Sequence, residues 1–155
     1  MTEQPVPVVR LQHTFPVPPD RVYRAWLDPD FMQRWFAAPV LTVTKAEVDE
    51  RVGGAYRVWH RDESGDAGGA EAEILELVPN ERIVLRWNFV GPDRYADPAM
   101  ESRLTVTFRS SADGGTVLAL THERLEGLHA RMPQIAGSVH GGWTETLESL
   151  DGALR

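Results

Sequence analysis

The segment SVHGGWTETLESLDGALR, residues 138–155, has the periodicity of a helix that lies on something. At about 100° per residue, Trp143, Leu147, Leu150 and Leu154 fall in one narrow stripe, which Val139 and His140 extend backwards. Glu145, Glu148, Ser149 and Asp151 make the opposite face polar and acidic. Ser138 is placed to cap the N-terminus. Gly141 and Gly142 each cost roughly 1 kcal/mol against alanine inside a helix, so they mark either its beginning or a close approach of another backbone. A helix with one apolar side needs a partner surface, and that surface has to come from upstream.

Upstream the pattern is mostly strand. VVRLQHTF alternates, with Val9, Leu11, His13 and Phe15 on one face. PVPPD interrupts it, Asp20 is placed as an N-cap for RVYRAWL, and DPDFMQRWF restarts a second short helix with Pro29 in its first turn. Period two then takes over in LTVTKAEV, RVGGAYRVWHR, AEAEILEL, RIVLRWNF, SRLTVTFRS and TVLALTHERL, with an irregularity expected at Ile74 and Leu75. DESGDAGG is a polar turn, PNE and ADGG are hairpin turns, and GPDRYADPAM is a longer loop. The reading is an α+β fold: a curved antiparallel sheet of about seven strands, two short helices after the first strand, and one long C-terminal helix across the concave face. Residues 1–155 form one domain, with residues 1–7 a tail. A curved sheet held against a single helix leaves space between them, and that space is the natural seat of an apolar ligand.

Composition narrows the function. A 155-residue chain can bury about 70% of its unfolded surface without staples. Having no cysteine, it forms no disulfide, thiolate metal site or thiol nucleophile. No apolar run reaches the roughly 18 residues of a membrane span, and no signal peptide is visible, so the expected location is cytoplasmic, without membrane insertion. A net charge of -7 with no basic stripe argues against nucleic acid.

Strand parity places His13, Tyr56, Val58, His60, Leu85 and Trp87 on inward faces, together with Phe108, Leu120 and His122. His140, Trp143 and Leu147 join them from the helix stripe, and these twelve are the candidate cavity lining. Trp26, Phe31, Trp35 and Phe36, from the two short helices, are the candidate lid. An inward histidine can hold a ligand's polar head, move a proton, ligate a metal, or simply be a hydrogen-bonded group at a cavity edge. Trp87 and Trp143 can line the cavity or fill it. Glu71, Glu73, Arg82, Arg86 and Asn88 alternate with apolar neighbours and are read as exposed; Trp59 is read as outward. There is no HExxH spacing, nucleophile elbow, phosphate-cradling loop or dinucleotide fingerprint, so neither a metal nor a cofactor is expected and no catalytic residue is assigned.

Five pieces in order, FPVPPDRVYRAWLDPDFMQRWF, RVGGAYRV, ILELVPNERIVLRW, GGTVLALTHERL and HGGWTETLESLDGAL, resemble the family of homologues of the activator of the ninety-kilodalton heat-shock protein ATPase. That family lies within the START, birch-pollen-allergen and polyketide-cyclase superfamily, abbreviated SRPBCC. The resemblance runs from about residue 8 to residue 154 and implies the helix-grip fold. It implies a stand-alone module that binds a small hydrophobic or amphipathic molecule without catalysis. A cyclase-like or hydrolase-like enzyme using His60 or His122 is the alternative. A chaperone partner is the weakest implication, because the named activator grips its chaperone with a separate N-terminal domain for which this chain leaves no room.

Overall fold

The computed structural model describes residues 8–37 and 40–155, so the expected tail, residues 1–7, lies outside the described residues. The alternating N-terminal segment forms β1 (Val9–Phe15), with Val9 and Phe15 buried at its ends. Two short helices follow, α1 (Pro19–Leu27) and α2 (Pro29–Trp35). Asp20 is not the cap of α1: the cap is Pro18, Pro19 opens the helix, and Asp20 sits in the first turn, where its charge complements the helix dipole. Pro29 does open α2, and Asp28 caps it by accepting a hydrogen bond from Asp30 N at 3.1 Å.

The remaining strands are β2 (Thr42–Val48), β3 (Ala55–Asp62), β4 (Gly65–Val78), β5 (Arg82–Val90), β6 (Ser102–Ser110) and β7 (Thr116–Glu123). They form one seven-stranded antiparallel sheet in the order β1-β7-β6-β5-β4-β3-β2. The register of β4 on β5 shifts between Ile74 and Glu76, which sets Leu75 apart as a bulge where the alternation fails in the sequence. DAGG, read as part of a turn, belongs to β4, because the connection from β3 closes on Glu63 and Ser64 alone. A 3-10 turn (Pro98–Met100) and a short helix, α3 (Glu126–Arg131), were not anticipated.

The long helix α4 spans Pro133–Leu154, 22 residues, and lies along the sheet. It starts at Pro133, whose fixed φ suits a first turn, and not at Ser138, whose hydroxyl instead donates to the Ile135 carbonyl within the helix at 2.9 Å. Gly141 and Gly142 are therefore interior. Neither marks a close approach, since a Cβ added to either would meet no atom within 4 Å. Val139, Trp143, Leu147, Leu150 and Leu154 are all buried, so the apolar stripe is real, but His140 is exposed. Asp151, assigned to the polar face, turns inward enough to accept from His13 Nε2 at 2.7 Å, tying α4 to β1. Among the described residues no helix is long and apolar enough to cross a membrane.

Candidate functional site

The helix and sheet do not meet evenly. Between the N-terminal half of α4 and strands β3 to β5 lies a pocket of about 280 Å³, closed on one side by Phe36, Ala37 and Leu41 from the connection between α2 and β2. Small residues make it. The β4 wall is Ala67, Gly69 and Ala70, and Gly142 faces it from the helix. Gly69 has φ +154°, and a Cβ there would stand 2.0 Å from the Val58 carbonyl oxygen, so β3 and β4 can pair this closely only with glycine at that position. Gly142 has open space where its side chain would be.

The remaining wall is aromatic. Trp87 and Trp143 have ring centroids 5.4 Å apart, and Phe36 lies 6.2 Å from Trp87 and 5.9 Å from Trp143. A buried chain of hydrogen bonds fixes Trp143. Its Nε1 donates to His122 Nδ1 at 3.1 Å, and because an indole N–H can only donate, Nδ1 must be bare and the imidazole hydrogen must sit on Nε2. Nε2 then donates to Ser102 Oγ at 2.7 Å, and the Ser102 hydroxyl donates to the Trp87 carbonyl at 3.3 Å. Burial lowers the His122 pKa to about 4, keeping the ring neutral as this chain of bonds requires.

His60 is the histidine on the pocket wall. Its Nε2 donates to the Phe36 carbonyl at 2.7 Å, so one residue holds the entrance segment and lines the pocket as well. Burial lowers its pKa; the Phe36 hydrogen bond opposes that shift, and the charge of Arg94 reinforces it.

Residues 16–155 match the model of the family described as Activator of Hsp90 ATPase homolog 1-like protein. This chain belongs to that family. No curated protein matches it. A solved structure from Chromobacterium violaceum is 30% identical, with a TM-score of 0.76 and 94% of each chain covered. A Rhodobacter sphaeroides protein shares the fold at 19% identity and TM-score 0.80, over 99% of this chain and 95% of that one. A Nitrosomonas europaea protein does so at 21% identity and TM-score 0.77, over 95% and 93%.

In this family member, Val58, His60, Trp87, Trp143 and Phe36 come together on the pocket wall, while the other expected lining residues go elsewhere. His122 is wholly buried behind Trp143 and does not line the pocket, which removes it as a proton carrier for a bound molecule. His13 is engaged with Asp151 near the far end of α4, and His140 is exposed, because the stripe passes through Val139 and Trp143 and leaves position 140 outside it. Leu85, Phe108, Leu120 and Leu147 are solid core, as is Tyr56, whose hydroxyl donates to the Trp26 carbonyl at 2.6 Å. Of the expected lid, Trp26 and Trp35 are buried anchors, with Trp35 Nε1 donating to the Ala25 carbonyl at 3.1 Å. Phe31 faces a different groove of about 520 Å³, which is broad and bordered by Asp20, Arg21 and the ion-paired Arg24 and Glu50. Asn88, read as exposed, is buried beneath the loop that follows β5, and its Nδ2 donates to the Asp97 carbonyl at 2.8 Å. Trp59 does face outward, between Lys45 and Arg94, each within 4.5 Å of its ring centre.

Sequence reasoning passed over Ala67, Gly69, Ala70, Gly142 and Thr146 as wall residues. The available signal was a cluster of residues too small to fill a core, set opposite glycines in an otherwise good helix. Among the described residues no group of three or more His, Asp or Glu is arranged to hold a metal ion.

Proposed function

We propose that this protein binds a small apolar or amphipathic molecule in the pocket beneath the N-terminal half of α4, and that it does so without catalysis. The fold is compatible with ligand binding, and one observation carries the reading: an aromatic wall held in place by a buried hydrogen-bond chain surrounds space that missing side chains keep open. Ligand sites typically span about 300–1,000 Å³, so about 280 Å³ calls for a small occupant. An apolar cavity of about 150 Å³ accepts one benzene, which points to roughly two fused rings here. Affinity would come from apolar area removed from water, at about 25 cal/mol per Å².

The test is an amide NMR titration with naphthalene. Saturable shifts confined to residues around Phe89, Val139 and Trp143, and abolished in Gly142→Leu, are the expected result. Diffuse shifts that do not saturate, or that survive Gly142→Leu, would remove the proposal.

A further inference from the structure

The hydrogen-bond inventory of the pocket wall rests on that binding reading and sharpens it to a class of ligand. Five polar side chains line the pocket: His60, Trp87, Ser138, Trp143 and Thr146. Four have already committed a hydrogen to the protein. Ser138 Oγ donates to the Ile135 carbonyl at 2.9 Å, and Thr146 Oγ1 to the Gly142 carbonyl at 2.8 Å. His60 Nε2 donates to the Phe36 carbonyl at 2.7 Å, and Trp143 Nε1 to His122 Nδ1 at 3.1 Å. The fifth, Trp87 Nε1, has no partner but is sealed from water, whereas the pocket is open to it; Trp87 therefore presents its ring and not its N–H.

What is left for a ligand is a set of acceptors. Both hydroxyl oxygens keep lone pairs, and His60 Nδ1, bare in the neutral tautomer that the Phe36 carbonyl imposes, has no hydrogen-bond partner among the described residues. A ligand carrying only acceptors would lose its own hydrating waters and gain no hydrogen in return. Arg94, the charged group that acts on His60, is itself paired with Asp66 at 2.6 Å and lies over the outward ring of Trp59. Val43 faces His60 from β2 and Gly68 from β4, so neither neighbouring strand sets a carboxylate opposite it.

We infer that the pocket selects ligands bearing an O–H or N–H donor on a frame of about two rings, over acceptor-only ligands of similar shape, with His60 Nδ1 receiving the hydrogen. The Phe36 carbonyl acts as a positioning group, since it fixes which imidazole nitrogen is bare.

Calorimetric titration of the full chain with 2-naphthol, naphthalene and 2-methoxynaphthalene tests this. The expected result is that 2-naphthol binds roughly three- to tenfold more tightly than the other two, the factor for one net hydrogen bond, and that His60→Leu abolishes this preference. Equal affinity for all three would overturn the inference while leaving the pocket reading intact. A preference that persists in His60→Leu would overturn the role of His60. Binding of none of the three would overturn the pocket reading and the inference with it. The imidazole nitrogen NMR signals of the unaltered protein decide the matter independently of how the variant folds. The His60 Nδ1 signal should move on adding 2-naphthol and stay in place on adding naphthalene, and an unmoved signal at saturating 2-naphthol would overturn the assignment.

Discussion

The two halves of α4 lie on the same sheet and use it differently. From Leu147 to Leu154 the helix offers leucines, each at most 5% exposed; Leu147 and Leu150 pack into the core, and Leu154 packs there too while bordering the groove beside α1. From Ile135 to Thr146 it offers Gly142 and Ser138 beside Val139 and Trp143, opposite a strand carrying Ala67, Gly69 and Ala70, and a pocket remains. Protein interiors pack to crystal-like density, so space persists only where side chains are absent and the survivors cannot collapse into it. Here the survivors are rings held by hydrogen bonds. The comparison teaches that the filled half supplies stability and the open half holds its shape through polar contacts.

Truncation is the sharpest way to break that comparison. Leu150→Ala, in the filled half, should cost about 2–5 kcal/mol, because the deleted methyl groups leave an enclosed cavity. Val139→Ala, on the pocket wall, should cost only about 1 kcal/mol, since it enlarges a space already open to water. Urea unfolding of both variants measures the gap, and equal costs would mean that the two halves are not distinct.

Acid should act on the open half next. The His122 pKa is lowered from 6.5 to about 4 in the folded state, so between those values the unfolded chain binds a proton that the folded chain refuses. Stability should therefore be complete above pH 6.5 and decline as pH falls towards about 4, by on the order of 3 kcal/mol in all. The lowered pKa of His60 acts with the same sign. Unfolding midpoints at pH 7 and pH 5 measure the slope.

His122→Leu should cost about 1–3 kcal/mol at neutral pH by stranding the Trp143 N–H and taking away the hydrogen that Ser102 Oγ accepts, and should loosen the Trp143 ring. Near-ultraviolet circular dichroism reads that loosening. The same variant should lose much of the acid sensitivity, so the gap to the unaltered protein narrows at pH 5.

The smallest effect separates the two helix glycines. Gly141→Ala should stabilise by roughly 0.5–1 kcal/mol and leave naphthalene binding unchanged, since alanine restores helix propensity at an exposed position with free space around it. Thermal melting paired with the NMR titration checks both parts, and a loss of binding in Gly141→Ala would shift the pocket's boundary.

Much of the fold was legible because it rests on period. Alternation in RIVLRWNF and TVLALTHE, the bulge near Leu75 and the stripe from Trp143 to Leu154 all follow from which residues share a face. The candidate site was less legible, because facing inward and facing empty space are the same signal in one dimension. His122 and His60 share strand parity, yet one is enclosed behind a tryptophan and the other lines the pocket. His13 and Asp151 are 138 positions apart in the chain, so no local pattern could foretell their bond. The early start of α4 was missed because Pro133 to Gly137 carry little apolar periodicity, and packing behind α3 holds that turn in place.

By itself the sequence determined the family, the α+β order of elements and which face of each strand turns inward, since these depend on local periodicity and on residue types along one segment. Only the tertiary structure decided which inward residues meet a neighbour and which meet open space. That depends on the register between strands β3, β4 and β5, on where α4 crosses them, and on hydrogen bonds between residues remote in the chain, and it is these that place His60 on the wall and hide His122 behind Trp143.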